Sequence, residues 1–297
     1  MDYYTLLYMS LFVLLFGNEL DWFTSSGSNS DDGADDPLYD RNAYSDRIDG
    51  TTGADDLSAD AAENLAWFLD AGNDTLSGSI GNDFADGGAG DDNLHMLSGS
   101  DIVRAGDGND TVDAGVGFDT VLGGTGDDSL VGNGGMDVLS GENGNDTVAG
   151  GSGADMISGG DGDDLLAGMS PEQSFVDDGA LDGFDTLDGG AGNDTLMLGH
   201  GDRGTGGAGD DDFVLDQRDD SSAVTSVVDF GVGDSVALFY TPTFGSDGAE
   251  IAPEISVSPS EDGLAGQISF NGQVVAHVTG GQNLTADDIS LIADPGR

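Results

Sequence analysis

Eleven aspartates recur at intervals of nine residues without a slip. Carboxylates at such a regular spacing would stack if the chain coiled, and stacked carboxylates repel one another. A hard cation between them removes the repulsion, because carboxylate oxygens are its preferred ligands. The spacing therefore predicts metal-ion chemistry. The aspartates are Asp74, Asp83, Asp92, Asp101, Asp110, Asp119, Asp128, Asp137, Asp146, Asp155 and Asp164.

Two further columns keep the same phase as the aspartates. A glycine stands two residues before each aspartate, and an apolar residue stands two residues after it, as in Gly126, Asp128 and Leu130. The unit reads G-G-x-G-x-D-x-U-x, where U is apolar, and good copies are GGTGDDSLV at 123–131 and GGDGDDLLA at 159–167. Eleven copies in one phase exceed what general Gly and Asp richness produces. The unit is a repeat, and not a lone Asp-Gly turn.

The two halves of the unit predict the elements that position the carboxylates. The glycine-rich half is a turn, because glycine reaches left-handed backbone angles. The x-U-x half is a short strand with one inward side chain. Two units close one coil of 18 residues, so that alternate aspartates line opposite edges about 4.8 Å apart along the stack. Asp74, Asp92, Asp110, Asp128, Asp146 and Asp164 are expected on one edge, and Asp83, Asp101, Asp119, Asp137 and Asp155 on the other.

The donor set favours Ca²⁺ over Mg²⁺. Ca²⁺ takes six to eight oxygens and mixes carboxylates with backbone carbonyls, whereas Mg²⁺ demands tight octahedral geometry and keeps its waters. The eleven turns offer nine pairs of same-edge neighbours, so nine is the upper bound on sites in this block. Multiple bound Ca²⁺ ions are therefore expected.

Composition supports a cation-loaded fold and excludes several classes of protein. The formal net charge is −52 over 297 residues, with 58 acidic and only 6 basic residues. Such a chain cannot neutralise phosphates, which excludes nucleic-acid partners. The absence of Cys excludes disulfides and thiolate metal sites. Low hydrophobicity with high net charge also fits disorder, but the excess of Asp over Glu and the nine-residue phase argue for bound cations.

The nonapeptide resembles the RTX family, the calcium-binding repeats of secreted bacterial proteins, over roughly residues 50–214. The resemblance implies an all-β fold: a parallel β-roll, that is, a right-handed β-helix of nonapeptide repeats, with a β-rich C-terminal domain. It also implies an extracellular or cell-surface location and a C-terminal signal for the type I secretion machinery. Its metal ligands would be the eleven aspartates above together with Asp185, Asp194 and Asp211.

The pattern weakens at several points. A 12-residue insertion around Ser170–Asp178 separates Asp164 from the next fitting aspartate, Asp185, and is expected to loop out. The turn at 198–205 is one residue short, so either Arg203 replaces the aspartate or Asp202 substitutes by a shift. The turns at 96–104, 105–113 and 114–122 lack the first glycine, and Phe118, Met136 and Ala154 precede their aspartates where Asn or Asp is common.

The flanks divide the chain into four predicted segments: 1–17, 18–49, 50–214 with the insertion near 169–180, and 215–297. Upstream, 50–58 also fits the repeat, and the DAAENLAWFL segment predicts a short helix or cap over the open end of the roll. Downstream, 224–239 predicts two strands about a turn, and 267–278 predicts a hairpin at Asn271-Gly272. Residues 284–292 could form one helical turn capped by Thr285.

Residues 3–16 are strongly apolar but short for a membrane span of about 20 residues. Three interpretations stay open: a short anchor or atypical signal that associates with a membrane, a buried element, or a start at Met9. Residues 18–49 follow as an acidic linker.

Two functions from different classes compete with simple calcium binding. One is a cell-surface adhesin or matrix protein that uses the roll as a calcium-stiffened spacer. The other is an enzyme, against which the chain has no H-E-x-x-H and no G-x-S-x-G. His95, His200 and His277 share no spacing. A non-enzymatic calcium-binding protein that folds on binding Ca²⁺ outside the cell is the function the sequence favours.

Overall fold

A computed structural model describes residues 38–59, 62–168, 183–218, 223–244, 246, 250–260, 265–280 and 284–294. The chain forms two units, Met1–Asn42 and Ala43–Arg297, and the repeats lie in the second. The first 37 residues, with the apolar segment 3–16, lie outside the described part, and so does the insertion at 169–182.

The described residues form short strands joined by tight turns, with two short 3-10 helices at Arg41–Ala43 and Ala286–Asp288. In chain order the strands are β1 Asp46–Asp49, β2 Asp56–Ser58, β3 Leu65–Phe68, β4 Thr75–Ser77, β5 Phe84–Ala89, β6 Asn93–His95, β7 Ile102–Asp107, β8 Thr111–Asp113, β9 Val116–Gly117, β10 Thr120–Thr125, β11 Ser129–Gly135, β12 Val138–Asn143, β13 Thr147–Ser152, β14 Met156–Asp161, β15 Leu165–Ala167, β16 Thr186–Ala191, β17 Thr195–Leu198, β18 Arg203–Ala208, β19 Asp212–Gln217, β20 Thr225–Val228, β21 Ser235–Tyr240, β22 Thr243–Phe244, β23 Glu250–Ile251, β24 Ile255–Pro259, β25 Ala265–Phe270, β26 Gln273–Thr279 and β27 Ile289–Ala293.

Successive strands alternate between two sheets, so each coil contributes one strand to each sheet. One sheet runs β1-β3-β5-β7-β10-β12-β14-β16-β18-β20-β26-β25-β24. The other runs β2-β4-β6-β8-β11-β13-β15-β17-β19-β21-β27, with β9 pairing β11 at its side. Neighbours in the repeat region pair in parallel, which is the pattern of a parallel β-roll and confirms the predicted fold class.

The strand register confirms the 18-residue coil. Val121 pairs with Leu139 in the first sheet, and Leu130 pairs with Val148 in the second. After the insertion the coil resumes in phase, because Ile157 pairs with Leu187 across the gap. Each turn therefore lies beside the turn two repeats away.

The core is a double file of the U residues. All eleven are buried, and they join one apolar cluster between the two sheets. In most repeats the next inward position is glycine, with exceptions such as Met96, Ala105 and Ala114. The core is therefore thin, and apolar burial alone stabilises each coil weakly. The residues are Leu76, Ala85, Leu94, Val103, Val112, Val121, Leu130, Leu139, Val148, Ile157 and Leu166.

The helix predicted near residues 60–69 is wrong. Leu65–Phe68 forms strand β3, which pairs with β1 and β5. Alternation with a period of two buries Leu65, Trp67 and Leu69 in the core cluster, and this two-residue period overrides the helix signal of the DAAENLAWFL segment.

The strands, hairpin and helical turn predicted in the C-terminal region are confirmed. Residues 224–239 contain β20 and β21, one in each sheet, so both sheets continue beyond residue 214. An antiparallel hairpin joins β25 and β26 through Asn271 and Gly272, both at positive φ. Thr285 precedes the 3-10 turn, and its N–H and Oγ1 donate to Asp288. In the described ranges, no helix has the length and apolar character needed to cross a bilayer.

Candidate metal centres

The predicted aspartates lie at the ends of turns, directly before the strands that carry the U residues. Asp128 precedes β11 and Asp137 precedes β12. All fourteen predicted aspartates are at most 3% exposed. Burial of so many carboxylates requires strong compensation, because an isolated buried charge is costly.

These carboxylates form two ladders, one along each edge of the roll. In each step, the backbone N–H of one aspartate donates to Oδ1 of the aspartate one coil further on, at 2.7–3.1 Å. The first ladder contains Asp55, Asp74, Asp92, Asp110, Asp128, Asp146, Asp164, Asp194, Asp211 and Asp234. The second ladder contains Asp83, Asp101, Asp119, Asp137, Asp155, Asp185 and Asp202.

The second carboxylate oxygen is left without a donor at many steps. A buried acceptor with no donor is rare in folded proteins, and each instance calls for a missing partner such as water or an ion. Ten ladder aspartates have a buried Oδ2 with no hydrogen-bond partner among the described residues: Asp74, Asp92, Asp101, Asp110, Asp119, Asp128, Asp137, Asp146, Asp164 and Asp194.

The glycine five residues before the aspartate leaves a space that two oxygens face. A Cβ placed on Gly123 would lie 2.4 Å from Asp128 Oδ2 and 2.7 Å from the Gly141 carbonyl oxygen. A Cβ on Gly159 would lie 2.1 Å from Asp164 Oδ2 and 2.6 Å from the Gly189 carbonyl oxygen. A Cβ has no room at these two glycines, whereas Ca²⁺ binds oxygen at about 2.3–2.6 Å. In other turns the same position carries a buried side chain, as with Ala105 before Asp110 and Ala114 before Asp119. Where glycine stands there, the space is of a size that suits a cation.

The glycine two residues before the aspartate is required for a different reason. Gly126 has φ +125°, and a Cβ there would lie 2.0 Å from the Gly108 carbonyl oxygen of the preceding coil. Both the left-handed backbone and the close approach of the coils exclude other residues.

Burial and neighbouring carboxylates make these groups hard to ionise when no cation is bound. Burial raises the pKa of Asp101 to about 8 and the pKa values of Asp119 and Asp128 to about 7, against a backbone hydrogen bond that lowers each. The adjacent carboxylate in the ladder adds to the rise, for example Asp137 beside Asp119. A nearby cation would reverse this effect, because it favours the ionised form.

The oxygens available at the turns come from both the backbone and the side chains, and this combination fits Ca²⁺. Within the described part of the chain, no three Asp, Glu or His side chains converge as a ligand cluster. The turns instead offer carboxylate oxygens together with backbone carbonyl oxygens, which is a mixture that Ca²⁺ accepts.

The structure brings all fourteen predicted ligands into the two ladders, and their role as metal ligands stays a prediction. It resolves the open alternative at the short turn: Asp202 is buried and accepts from the Asp185 N–H, while Arg203 starts β18. Asp55 and Asp234 also join the first ladder, although they are not among the predicted ligands. The fit of 50–58 to the repeat is the signal for Asp55.

The two edges differ in the residue directly before the ladder aspartate. On the first edge this residue is Asn or Asp from Asn73 to Asp210, and side-chain oxygens in this row accept an N–H from the next coil, as Asn109 does from Asp127 at 2.9 Å. On the second edge this pattern ends at Ser100, whose Oγ accepts the Phe118 N–H, and Phe118 and Phe184 beyond it are 57% and 69% exposed. These side chains therefore join the coils along the first edge but only along the first part of the second edge.

Comparison with known proteins agrees with this geometry. The model of the RTX calcium-binding nonapeptide repeat (4 copies) matches residues 41–65, 69–103, 97–130, 114–148, 131–166 and 180–203. The chain therefore carries several copies of the RTX calcium-binding nonapeptide repeat. No curated protein matches the chain.

Among solved structures, the extracellular lipase LipA from Serratia marcescens is similar at 17% identity, with a TM-score of 0.19. The alignment covers 76% of this chain and 42% of the lipase chain, so the chain spans less than half of that protein. The fold assignment therefore rests on the strand pairing described above.

Proposed function

We propose that the chain binds several Ca²⁺ ions in the turns of the roll and folds as it binds them. The observation that carries this proposal is the row of buried, donorless Oδ2 atoms. At Asp92, Asp128, Asp137, Asp164 and Asp194 this oxygen also lies beside a space that a backbone carbonyl oxygen faces. The ladder aspartates with a donorless Oδ2 bind the cation through that oxygen, while Oδ1 accepts the N–H of the aspartate in the preceding coil and holds the coils in register.

Coupled folding and binding follows from the energetics of the metal-free roll. The core is thin, the net charge is −52, and carboxylates stack at about the strand spacing of 4.8 Å. Without cations, burial of the thin core is the main favourable contribution, and it has to offset both the loss of chain entropy and the repulsion between carboxylates. Because the sites exist only in the folded coil, binding free energy becomes folding free energy.

The location follows from the affinity that such sites need. Extracellular calcium modules bind with Kd of about 10⁻⁴–10⁻³ M. Sites of that strength stay empty in a low-calcium cytosol and fill outside the cell. The family resemblance supports export through the type I secretion machinery by the C-terminal region, with the folded roll as the extracellular form.

The proposed role is not catalytic. His95 is an exposed residue of β6 with Nδ1 3.4 Å from Asp113 Oδ2, and His277 is an exposed residue of β26 beside Gln267. They lie in different sheets, and each has a local polar neighbour that accounts for it. The buried carboxylates are explained by the ladders and need no substrate.

Far-ultraviolet circular dichroism of the full chain tests the proposal at neutral pH. The chelated chain should lack the β signal, added Ca²⁺ should restore it, and the same concentration of Mg²⁺ should not. Full β-structure in the chelated chain would show that coupled folding is wrong. Failure to bind Ca²⁺ in equilibrium dialysis would overturn the function itself.

A further inference from the structure

The first carboxylate of each ladder differs from the carboxylates that follow it. Asp55 Oδ2 accepts the Thr51 N–H at 2.6 Å, and Asp83 Oδ2 accepts the Ser79 N–H at 2.8 Å. Each donor lies four residues before its aspartate, within the same turn. The oxygen that has no donor at the ten interior aspartates named above therefore has one here.

In the last carboxylate of each ladder, Oδ2 likewise accepts an N–H from its own turn. Asp202 Oδ2 accepts the Gly199 N–H at 2.7 Å, and Asp234 Oδ2 accepts the Gly231 N–H at 2.7 Å. Here the donor lies three residues before the aspartate. Both ladders thus begin and end at a carboxylate whose Oδ2 is bound by an amide of its own turn.

Backbone conformation separates the first turns from the interior turns. Four residues before the aspartate, the interior turns place a residue with left-handed φ, even where it is not glycine. Leu97 has φ 73°, Asn133 has φ 70° and Glu142 has φ 75°. Thr51 and Ser79 hold the corresponding places, and neither has positive φ. A side chain in left-handed conformation is strained, so the interior turns keep a costly shape that the first turns avoid.

The carboxylate also shifts within the closed turns. A Cβ placed on the glycine five residues before Asp55 or Asp83 would lie 3.0 or 3.3 Å from Oδ2, against 2.1 Å at Gly141 in an interior turn. The carboxylate oxygen is drawn out of the cation space and towards the amide donor.

In the second ladder, the Ser79 hydroxyl stabilises the first turn in the conformation that brings the Ser79 N–H to Asp83 Oδ2. Its Oγ accepts the Gly81 N–H at 3.0 Å and lies 3.0 Å from the Glu63 carbonyl oxygen and 3.1 Å from Asp83 Oδ1. Asp83 Oδ1 in addition accepts the Leu65 N–H at 2.8 Å. Both oxygens of Asp83 therefore have donors from the protein.

We propose that Asp55, Asp83, Asp202 and Asp234 close the two ladders with protein amides in place of a cation. On this view Ca²⁺ binds only at the interior carboxylates between them, and the array ends where a turn supplies its own donor. The proposal rests on calcium binding by the interior turns, and it narrows the sequence prediction by removing Asp83 from the ligands.

Matched Asp→Asn variants of the full chain test this proposal, with bound Ca²⁺ per chain measured by equilibrium dialysis and atomic absorption. In the second ladder, Asp137→Asn should lose at least one ion, whereas Asp83→Asn should bind as many ions as the wild type. In the first ladder, Asp128→Asn and Asp55→Asn form the same comparison, which decides the matter if Asp83→Asn does not fold.

The outcomes separate this proposal from the proposed function. If Asp83→Asn or Asp55→Asn loses as many ions as its interior counterpart, closure by amides is wrong while calcium binding stands. If the wild-type chain binds no Ca²⁺, the proposed function is wrong. The amide hydrogen bonds to the four terminal carboxylates then have no role in limiting cation binding.

Discussion

The backbone N–H of Asp128 donates to Oδ1 of Asp146, 2.8 Å away and one coil further along the roll. The N–H of Asp110 makes the same bond to Asp128. Each ladder aspartate therefore serves two coils at once: its carboxylate fixes the preceding coil, and its N–H binds the following one. This double role means that one substitution should disturb both the register and the adjacent cation sites.

Asp128→Ala should lower both calcium binding and stability. It removes the acceptor of the Asp110 N–H and one donorless Oδ2. We expect the loss of at least one bound Ca²⁺, and a fall of about 1.5–3 kcal/mol in the free energy of unfolding, the range for a hydrogen bond to a charged group. Calcium dialysis and denaturant unfolding in saturating Ca²⁺ measure the two effects.

Asp127→Ala is the matched control, because Asp127 lies in the same turn but is exposed. It removes one negative charge and the acceptor of the Asn145 N–H, without removing a buried ligand. An equal loss of Ca²⁺ in both variants would mean that general charge, and not ligation by Oδ2, governs binding.

Gly141→Ala should block the cation space of one turn. The new Cβ would lie 2.1 Å from Asp146 Oδ2, so the carboxylate has to move away from its present position. We expect fewer bound Ca²⁺ ions per chain, or a raised Kd for Ca²⁺. Dialysis at several Ca²⁺ concentrations distinguishes a lost site from a weakened one.

Gly134→Ala is the control for that substitution. A Cβ at Gly134 would have no heavy atom within 4 Å, and its φ is not positive. The variant should bind Ca²⁺ as the wild type does. If Gly134→Ala weakens binding as much as Gly141→Ala, loss of glycine flexibility explains the effect, and blockage of the space does not.

The nine-residue phase predicts the coil, the core and the ladders because every coil repeats the same three constraints. The Asp lies at the end of a turn, the glycine two residues before it lies close to the preceding coil and in most turns has left-handed φ, as Gly126 does, and the U side chain is buried in the core. Where those constraints recur, residues at the same position of the repeat lie at the same position in successive coils. For this reason the spacing of 18 residues between Leu130 and Val148 is enough to place one above the other.

The ends of the roll could not be predicted in this way. Leu65, Trp67 and Leu69 lie in a coil without the Gly/Asp phase, so a capping signal and a strand period competed, and tertiary packing decided for the strand. Closure of Asp83 by Ser79 is equally invisible in the pattern, because GSIGNDFAD satisfies the repeat columns at Gly81, Asp83 and Ala85. The hydrogen bond from the Ser79 N–H to Asp83 Oδ2 and the backbone angle of Ser79 reveal it.

The calcium-free chain should form more roll at acid pH than at neutral pH. Burial raises the pKa of Asp101 to about 8 and that of Asp92 to about 7, from 3.8, so the folded chain binds protons that the unfolded chain has released. Stability from these groups is therefore fully present below pH about 4 and is lost as pH rises through about 7–8. Circular dichroism in metal-free buffer measures it, with sedimentation velocity to detect precipitation near the pI of about 4.1. An unchanged spectrum between pH 5 and pH 9, in a chain that still folds with Ca²⁺, would contradict protonation as a substitute for the cation.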